Sequence, residues 1–270
     1  MAENLPAKVP SRSHSGGTIV KYKSEFNNLN LTKLNPMEHN VFFTLLATLK
    51  NVGSSEISLS FKEFRHKARI DRNTSDDEFE NLIISTLTKV GAGSFVVDNA
   101  DQWVMFPLFQ KIEVDKKNKK IQYVVSDPFI KYFNDFINKY TAFPLIDFVK
   151  IKKKYAKNMY RVFMQYANTG RYYDNFEHFI YEVIGVPKST KRANIVTKYI
   201  NPNVKYLRAQ IPMFHNLEVS YSKNKKTYVG IEFTWSAVAD KYDYIKEESA
   251  KRSEKRKYDK EWDEIMSKLK

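Results

Sequence analysis

The stretch Lys188-Ser-Thr-Lys-Arg-Ala-Asn-Ile-Val-Thr-Lys-Tyr-Ile-Asn-Pro-Asn-Val-Lys-Tyr-Leu-Arg-Ala-Gln-Ile-Pro212 carries Lys188, Lys191, Arg192, Lys198, Lys205 and Arg208 and not one carboxylate. Ile195, Val196, Tyr199 and Ile200 recur at helical spacing, which predicts a buried apolar stripe. Ser189, Thr190, Lys191, Asn194 and Lys198 then fall on the opposite face. A helix with one apolar face and one face of cations, amides and hydroxyls has the chemistry that enters a DNA major groove. Asn201-Pro202 either starts a second helical piece or kinks the first.

The surrounding charge agrees. The chain of 270 residues has a formal net charge of +14. Residues 1–150 contribute +3, and residues 151–235 alone contribute +10, from 15 basic and 5 acidic side chains. Such an asymmetry points to a polyanion-binding face in the second half. There is no cysteine, so neither a disulfide nor a cysteine-ligated zinc site is possible. No run of about 18 apolar residues predicts a membrane span, and the polar segment Met1–Gly17 lacks the apolar run of a signal peptide. The expectation is a cytoplasmic protein with no membrane partner.

Outward from the basic helix, the second half reads as helix, helix, helix, hairpin. Tyr155, Met159, Tyr160, Phe163 and Tyr166 make an apolar stripe ending at a Gly170 cap. Asp174 and Glu177 resemble a capping box before Phe176, Phe179, Ile180, Val183 and Ile184. Leu217–Tyr221 and Tyr228–Phe233 alternate as strands around a tip containing Lys223, Lys225 and Lys226. Arg171, Tyr172 and Tyr173 read as a turn packed on the core. Lys205 and Arg208 are expected to pair with acids such as Glu218.

The first half has the same order. Asn35-Pro36 starts a helix with Val41, Phe42, Leu45, Leu46 and Leu49 on one face. Ser60/Glu63 and Ser75/Glu78 are capping boxes for two more helices. Short strands follow at Phe95–Val97 and Trp103–Phe109, then a hairpin with Lys116, Lys117, Lys119 and Lys120 at its tip. A helix follows Pro128, and Leu145–Ile151 carries the join between the halves. Arg65, Arg69 and Arg72 read as a solvated face. The fold class is therefore α+β, with two winged-helix domains in tandem and a charged C-terminal helical tail. The divisions fall at 1–17 (mobile arm), 18–143 (first winged helix), 144–235 (second winged helix) and 236–270 (tail).

Three runs in this order resemble the plasmid replication initiators that bind iterons at theta-type origins. They are Leu34-Asn-Pro-Met-Glu-His-Asn-Val-Phe-Phe-Thr-Leu-Leu46, Lys157-Asn-Met-Tyr-Arg-Val-Phe-Met-Gln-Tyr-Ala-Asn-Thr-Gly170, and Ile195 through Asn201-Pro-Asn-Val to Ile211 with Leu217-Glu-Val-Ser-Tyr221 and Ile231-Glu-Phe233. The resemblance spans about residues 19–235. It implies a protein without a catalytic centre, metal or cofactor that binds double-stranded repeats, opens an A·T-rich segment and recruits host helicase or initiator proteins. It also implies a dimer that represses its own gene through an inverted repeat. The second winged helix would make the main base contacts. Asp76, Asp77, Glu78 and Glu80 repel phosphate from the start of the first half's third helix, leaving dimerisation or wing contacts to that half.

On this reading Arg192 is suited to guanine and Asn194 to adenine. Lys188, Ser189, Thr190, Lys191 and Lys198 hold phosphate, the wing adds Lys223, Lys225 and Lys226, and Lys152, Lys153 and Lys154 meet the backbone between the halves. A transcriptional repressor without initiator activity would look the same in sequence. A rolling-circle nicking enzyme would need a His-x-His metal pair. His14, His39, His66, His178 and His215 contain none, and no phosphate-binding Gly-x-x-x-x-Gly-Lys-Ser/Thr loop is present.

Overall fold

The computed structural model describes residues 18–29, 31–49, 56–70, 73–91, 94–98, 103–134 and 140–238. The expected arm, Arg72, and the tail beyond residue 238 lie outside the described residues.

The capping signals in the first half act as their residue types dictate. The Asn35 side chain accepts the amides of Met37 and Glu38, and Glu38 returns a bond to the Asn35 amide, opening α1 (Pro36–Ala47). Ser60 and Glu63 do the same for α2 (Phe61–Ala68). Ser75 and Glu78 do so for α3 (Asp76–Gly91). β1 (Ile19–Lys23) pairs antiparallel with β7 (Tyr140–Pro144), tying the two ends of this half together. β2 (Ile57–Ser60), just before α2, pairs with the hairpin of β5 (Phe109–Asp115) and β6 (Lys120–Val125) in the order β2-β6-β5. β3 (Ser94–Asp98) and β4 (Trp103–Pro107) form a separate hairpin. α4 (Asp127–Asn134) and α5 (Leu145–Lys150) lead onward.

The second half repeats the three-strand part of this topology. α6 (Lys154–Gln165) is followed by β8 (Arg171–Asn175), α7 (Phe176–His178) running into a π-helical turn, and a helical run over 192–210. β9 (Glu218–Asn224) and β10 (Thr227–Thr234) close it in the sheet order β8-β10-β9. In each half the strand before the second helix thus pairs with the last strand of the hairpin. Two details correct the sequence reading. Arg171–Asn175 is a strand, and Tyr172 is buried from it onto Phe163, Phe179 and Phe233. The cap of α7 is Asn175, whose side chain accepts the amides of Glu177 and His178. Asp174 instead takes the Tyr172 hydroxyl and His178.

The halves meet where α1 packs on α6. Phe43, Phe143, Phe148 and Tyr160 form one aromatic cluster, with Phe43 and Phe148 centroids 4.5 Å apart. Inside it lies a polar set. The Lys157 amine, fully buried, donates to Asn40 Oδ1 (2.6 Å) and the Phe148 carbonyl (2.5 Å), and lies 4.1 Å from the Phe148 ring centroid. The amide nitrogen of Asn40 donates to the carbonyls of Ala68 and Val149. Burial drives the Lys157 amine well below its ordinary pKa. His39 sits between the Asn35 carbonyl (2.9 Å) and Asn158 Oδ1 (3.1 Å). Burial, helped by the charges of Lys157 and Arg161, lowers its pKa to about 3 against two hydrogen bonds that favour the proton.

His39 is therefore neutral in the folded chain, while the unfolded chain takes up a proton below its ordinary value of 6.5. Stability should fall as pH drops below that value, by up to about 1.4 kcal/mol per pH unit for this one site. Urea titrations between pH 6.5 and 5 should show this slope, and the His39→Gln chain should show a flatter one. Gly170, at φ 64°, stands where an added Cβ would lie 2.4 Å from the Trp235 carbonyl oxygen. Gly170→Ala should cost at least about 1–2 kcal/mol from the left-handed backbone alone, read as a lowered denaturation midpoint.

Candidate nucleic-acid interface

The helical run over 192–210 begins as α8 (Arg192–Ile195), widens into a π-helical turn over Val196–Ile200, and continues as α9 (Asn201–Gln210). Pro202 has no amide proton to donate to Lys198, so the ladder yields there without breaking the run. Ile195, Ile200, Val204 and Leu207 are buried, and Tyr199 packs on Tyr155 at 5.1 Å. This leaves Lys191, Thr197, Lys198, Asn201 and Lys205 exposed, with Asn194 half-buried among them. Asn194, Thr197, Lys198 and Asn201 form one stripe at helical spacing. Thr197 and Asn201 were not singled out from the sequence, although the spacing from Asn194 carries that signal. Apparent interruption at Pro202 hid it.

Beside the run stands the hairpin of β9 and β10, its turn made by Lys225 in the left-handed region at φ 54°. Tyr228 stacks on Phe176 at 5.1 Å, Tyr221 packs on Tyr228 at 5.1 Å, and the Tyr221 hydroxyl reaches Asn201 Oδ1 at 3.4 Å. Burial raises the Tyr221 pKa to about 12, so its hydroxyl remains a donor at neutral pH. Lys223 lies over the Tyr228 ring at 4.8 Å, while Lys225 and Lys226 are exposed. No carboxylate among the described residues pairs with Lys191, Lys198, Lys223, Lys225 or Lys226.

Ser189 and Lys188 lie exposed on the turn before the run, with Thr190 half-buried and its amide bonded to the Pro187 carbonyl. Lys188 lies 3.8 Å from Glu182. Arg192 donates to Glu177 Oε1 (2.7 Å) and to the Tyr228 carbonyl (3.0 Å), so its guanidinium is engaged within the protein. Lys152 and Lys153 are exposed at the join, Lys153 lying over the Tyr206 ring of α9 at 5.0 Å, which brings them beside the same helical run. Lys154 is half-buried, and burial lowers its pKa. Arg208 donates to the Leu217 carbonyl rather than pairing with Glu218.

On the corresponding surface of the first half, two of the four tip lysines are paired within the protein. Asp76 at the start of α3 pairs with Arg65 (2.7 Å) and with Lys119 of the hairpin tip, and Glu80 pairs with Lys116. The Lys119 hydrogen bond, countered in part by lost solvation and aided by the Lys119 and Arg65 charges, holds the Asp76 carboxyl below its ordinary range. Arg65 also donates to the carbonyls of Thr74 and Ser75 and lies over Phe79, so it is a tie between α2 and α3 rather than part of a solvated face.

Among the described residues, no group of three or more His, Asp or Glu side chains is arranged to hold a metal ion, and no helix is long and apolar enough to cross a membrane. His39 is buried in the α1–α6 junction, and His178 bonds Asp174.

Residues 19–164 match the family model described as "Initiator Replication protein, WH1". The chain is 28% identical over 172 residues to a "Probable replication protein rep" of Bifidobacterium longum (strain NCC 2705), a match covering 64% of this chain and 58% of that relative. Its fold is similar to that of the Pi initiator protein, solved in complex with iteron DNA. The TM-score is 0.65 at 12% identity, over 83% of this chain and 99% of that one. With more than half of its length in the family match, continuous from β1 through α6, the chain belongs to the initiator replication protein family.

Proposed function

We propose that this chain is a plasmid replication initiator that binds repeated origin DNA through its second half. One observation carries the reading: Lys191, Lys198, Lys223, Lys225 and Lys226, which pair with no carboxylate among the described residues, lie along one helical run and the hairpin beside it. Phosphate neutralisation supplies affinity, and the Asn194, Thr197 and Asn201 stripe supplies amides and hydroxyls for base edges. The common sheet order of the two halves supports a tandem pair of winged-helix units. The resemblance to a protein solved with iteron DNA, and the relative described as a probable replication protein, support iterons as the target. We propose that it acts by binding rather than catalysis in a bacterial cytoplasm. Origin opening, recruitment of host proteins, dimerisation and repression of its own gene complete the proposed activity.

Transformation with a plasmid carrying only this gene and its flanking DNA tests the initiator role. Replicating transformants are expected, and protected repeats in the flanking DNA should map the origin. Protection without replication would leave a repressor in its place. Binding to the repeats should fall with salt at a slope of about −0.9 per phosphate neutralised. Lys198→Ala should weaken all sequences alike and flatten that slope by about 1. Asn194→Ala should relax preference at one base pair, at a cost of about 1–3 kcal/mol. Opening the first half's ion pairs with Asp76→Asn and Glu80→Gln should release Lys119 and Lys116 to phosphate and steepen the slope by up to about two contacts, about −1.8. An unchanged slope would show that this hairpin stays away from DNA.

A further inference from the structure

We infer that Arg192 is the positioning residue that holds the hairpin at the angle needed to meet phosphate, and that it does not itself read a base. The inference rests on the DNA-binding reading of this face. β8 pairs with β10 only from Gly230 to Thr234. Beyond Gly230 the hairpin is a two-stranded ribbon, and its register shifts between Tyr228 and Gly230. A two-stranded ribbon is marginal in water, and a bulge redirects the strand that carries it. So the tip bearing Lys223, Lys225 and Lys226 needs an anchor outside the sheet.

Two anchors are present. Tyr228 stacks on Phe176, and the Arg192 fork joins three elements: it leaves the start of α8, donates to Glu177 of α7, and donates to the Tyr228 backbone carbonyl one residue before the bulge. Its guanidinium carbon lies 5.9 Å from the Phe176 ring centroid, under the same stack. A planar fork bridges a carboxylate and a carbonyl together, which a lysine ammonium does not reproduce. For Arg192 to take guanine O6 and N7 as a pair, it would have to leave both partners and release the tip. The neighbouring Lys191, with no carboxylate partner among the described residues, already supplies a cation at that end of the run.

The test has two parts. In the free protein, Arg192→Ala and Arg192→Lys should both speed amide hydrogen exchange in β9 and in Thr227–Val229, leaving α6 unchanged. In DNA binding, each should lower affinity for the repeat and for every single-base variant of it by one common factor, about tenfold for a phosphate-contacting wing lost in whole or part. In a Lys223→Ala, Lys225→Ala, Lys226→Ala background, Arg192→Ala should cost less than it does beside the native hairpin. Unchanged exchange, restored affinity in Arg192→Lys, a loss confined to one base pair, or an equal loss in the lysine-free hairpin would each overturn the inference. Wild-type protein that bound the repeats no better than scrambled DNA would instead defeat the functional reading and leave the exchange result standing.

Discussion

The packing of α1 on α6 is the constraint on which the rest of the molecule depends. It places a fully buried lysine amine against an asparagine, a backbone carbonyl and a phenyl face, with no carboxylate bonded to it. Such a group is tolerated only when its donors are met, because an unmet buried polar group costs several kcal/mol in an apolar medium, about 2–7 on common reference scales. The partners come from both halves: Asn40 from α1, Phe148 from α5, with His39 and Asn158 closing the same layer. A rotation of one half against the other would break the Lys157–Asn40, Asn40–Val149 and His39–Asn158 bonds together. The aromatic cluster of Phe43, Phe143, Phe148 and Tyr160 supplies the apolar burial, and the polar set supplies the register.

Built on that junction, two halves that share one three-strand sheet order differ in how their cations are paired. In the first, the carboxylates of α3 take up Lys116 and Lys119 of the neighbouring hairpin tip. In the second, the helical run bears no carboxylate, and the hairpin is held by a guanidinium bridging to Glu177 and a backbone carbonyl. The first arrangement engages two of its tip lysines inside the protein. The second leaves its lysines facing outward. Surface ion pairs contribute little to stability, typically about 0–1 kcal/mol, so the difference matters more for what each half can attract than for how firmly it folds.

Much of this was legible in the sequence because the signals are local. Asn35, Ser60 and Ser75 are short polar side chains three residues before a glutamate, and each caps the helix it announces. The apolar spacing from Ile195 to Ile200 and the alternation around Lys223 likewise report a face and a strand pair. What could not be read depends on distant partners. β2, β7 and β8 are strands only because β6, β1 and β10 lie beside them, and Tyr172-Tyr173 looks like a turn until Phe163 and Phe233 are brought to one of its faces. The site shows the same division. The basic stripe follows from spacing, but the engagement of Arg192 depends on Glu177 and on a carbonyl in a hairpin 36 residues away. Arg65 looks solvated in the sequence for the same reason, since Asp76 and Phe79 reach it from the next helix.

On the proposed function, the helical run of the second half, not α3 of the first, enters the groove of the repeats. The chain has no cysteine, so a single introduced thiol can carry a tethered iron chelate that cleaves the nearest DNA by hydroxyl radical. Thr197→Cys, at the middle of the exposed stripe, and Asp77→Cys, exposed at the start of α3, are the two positions to compare on DNA bearing the repeats. Cleavage centred within each repeat is expected from position 197, and none within the repeats from position 77. Cleavage within the repeats from position 77, with none from position 197, would contradict it.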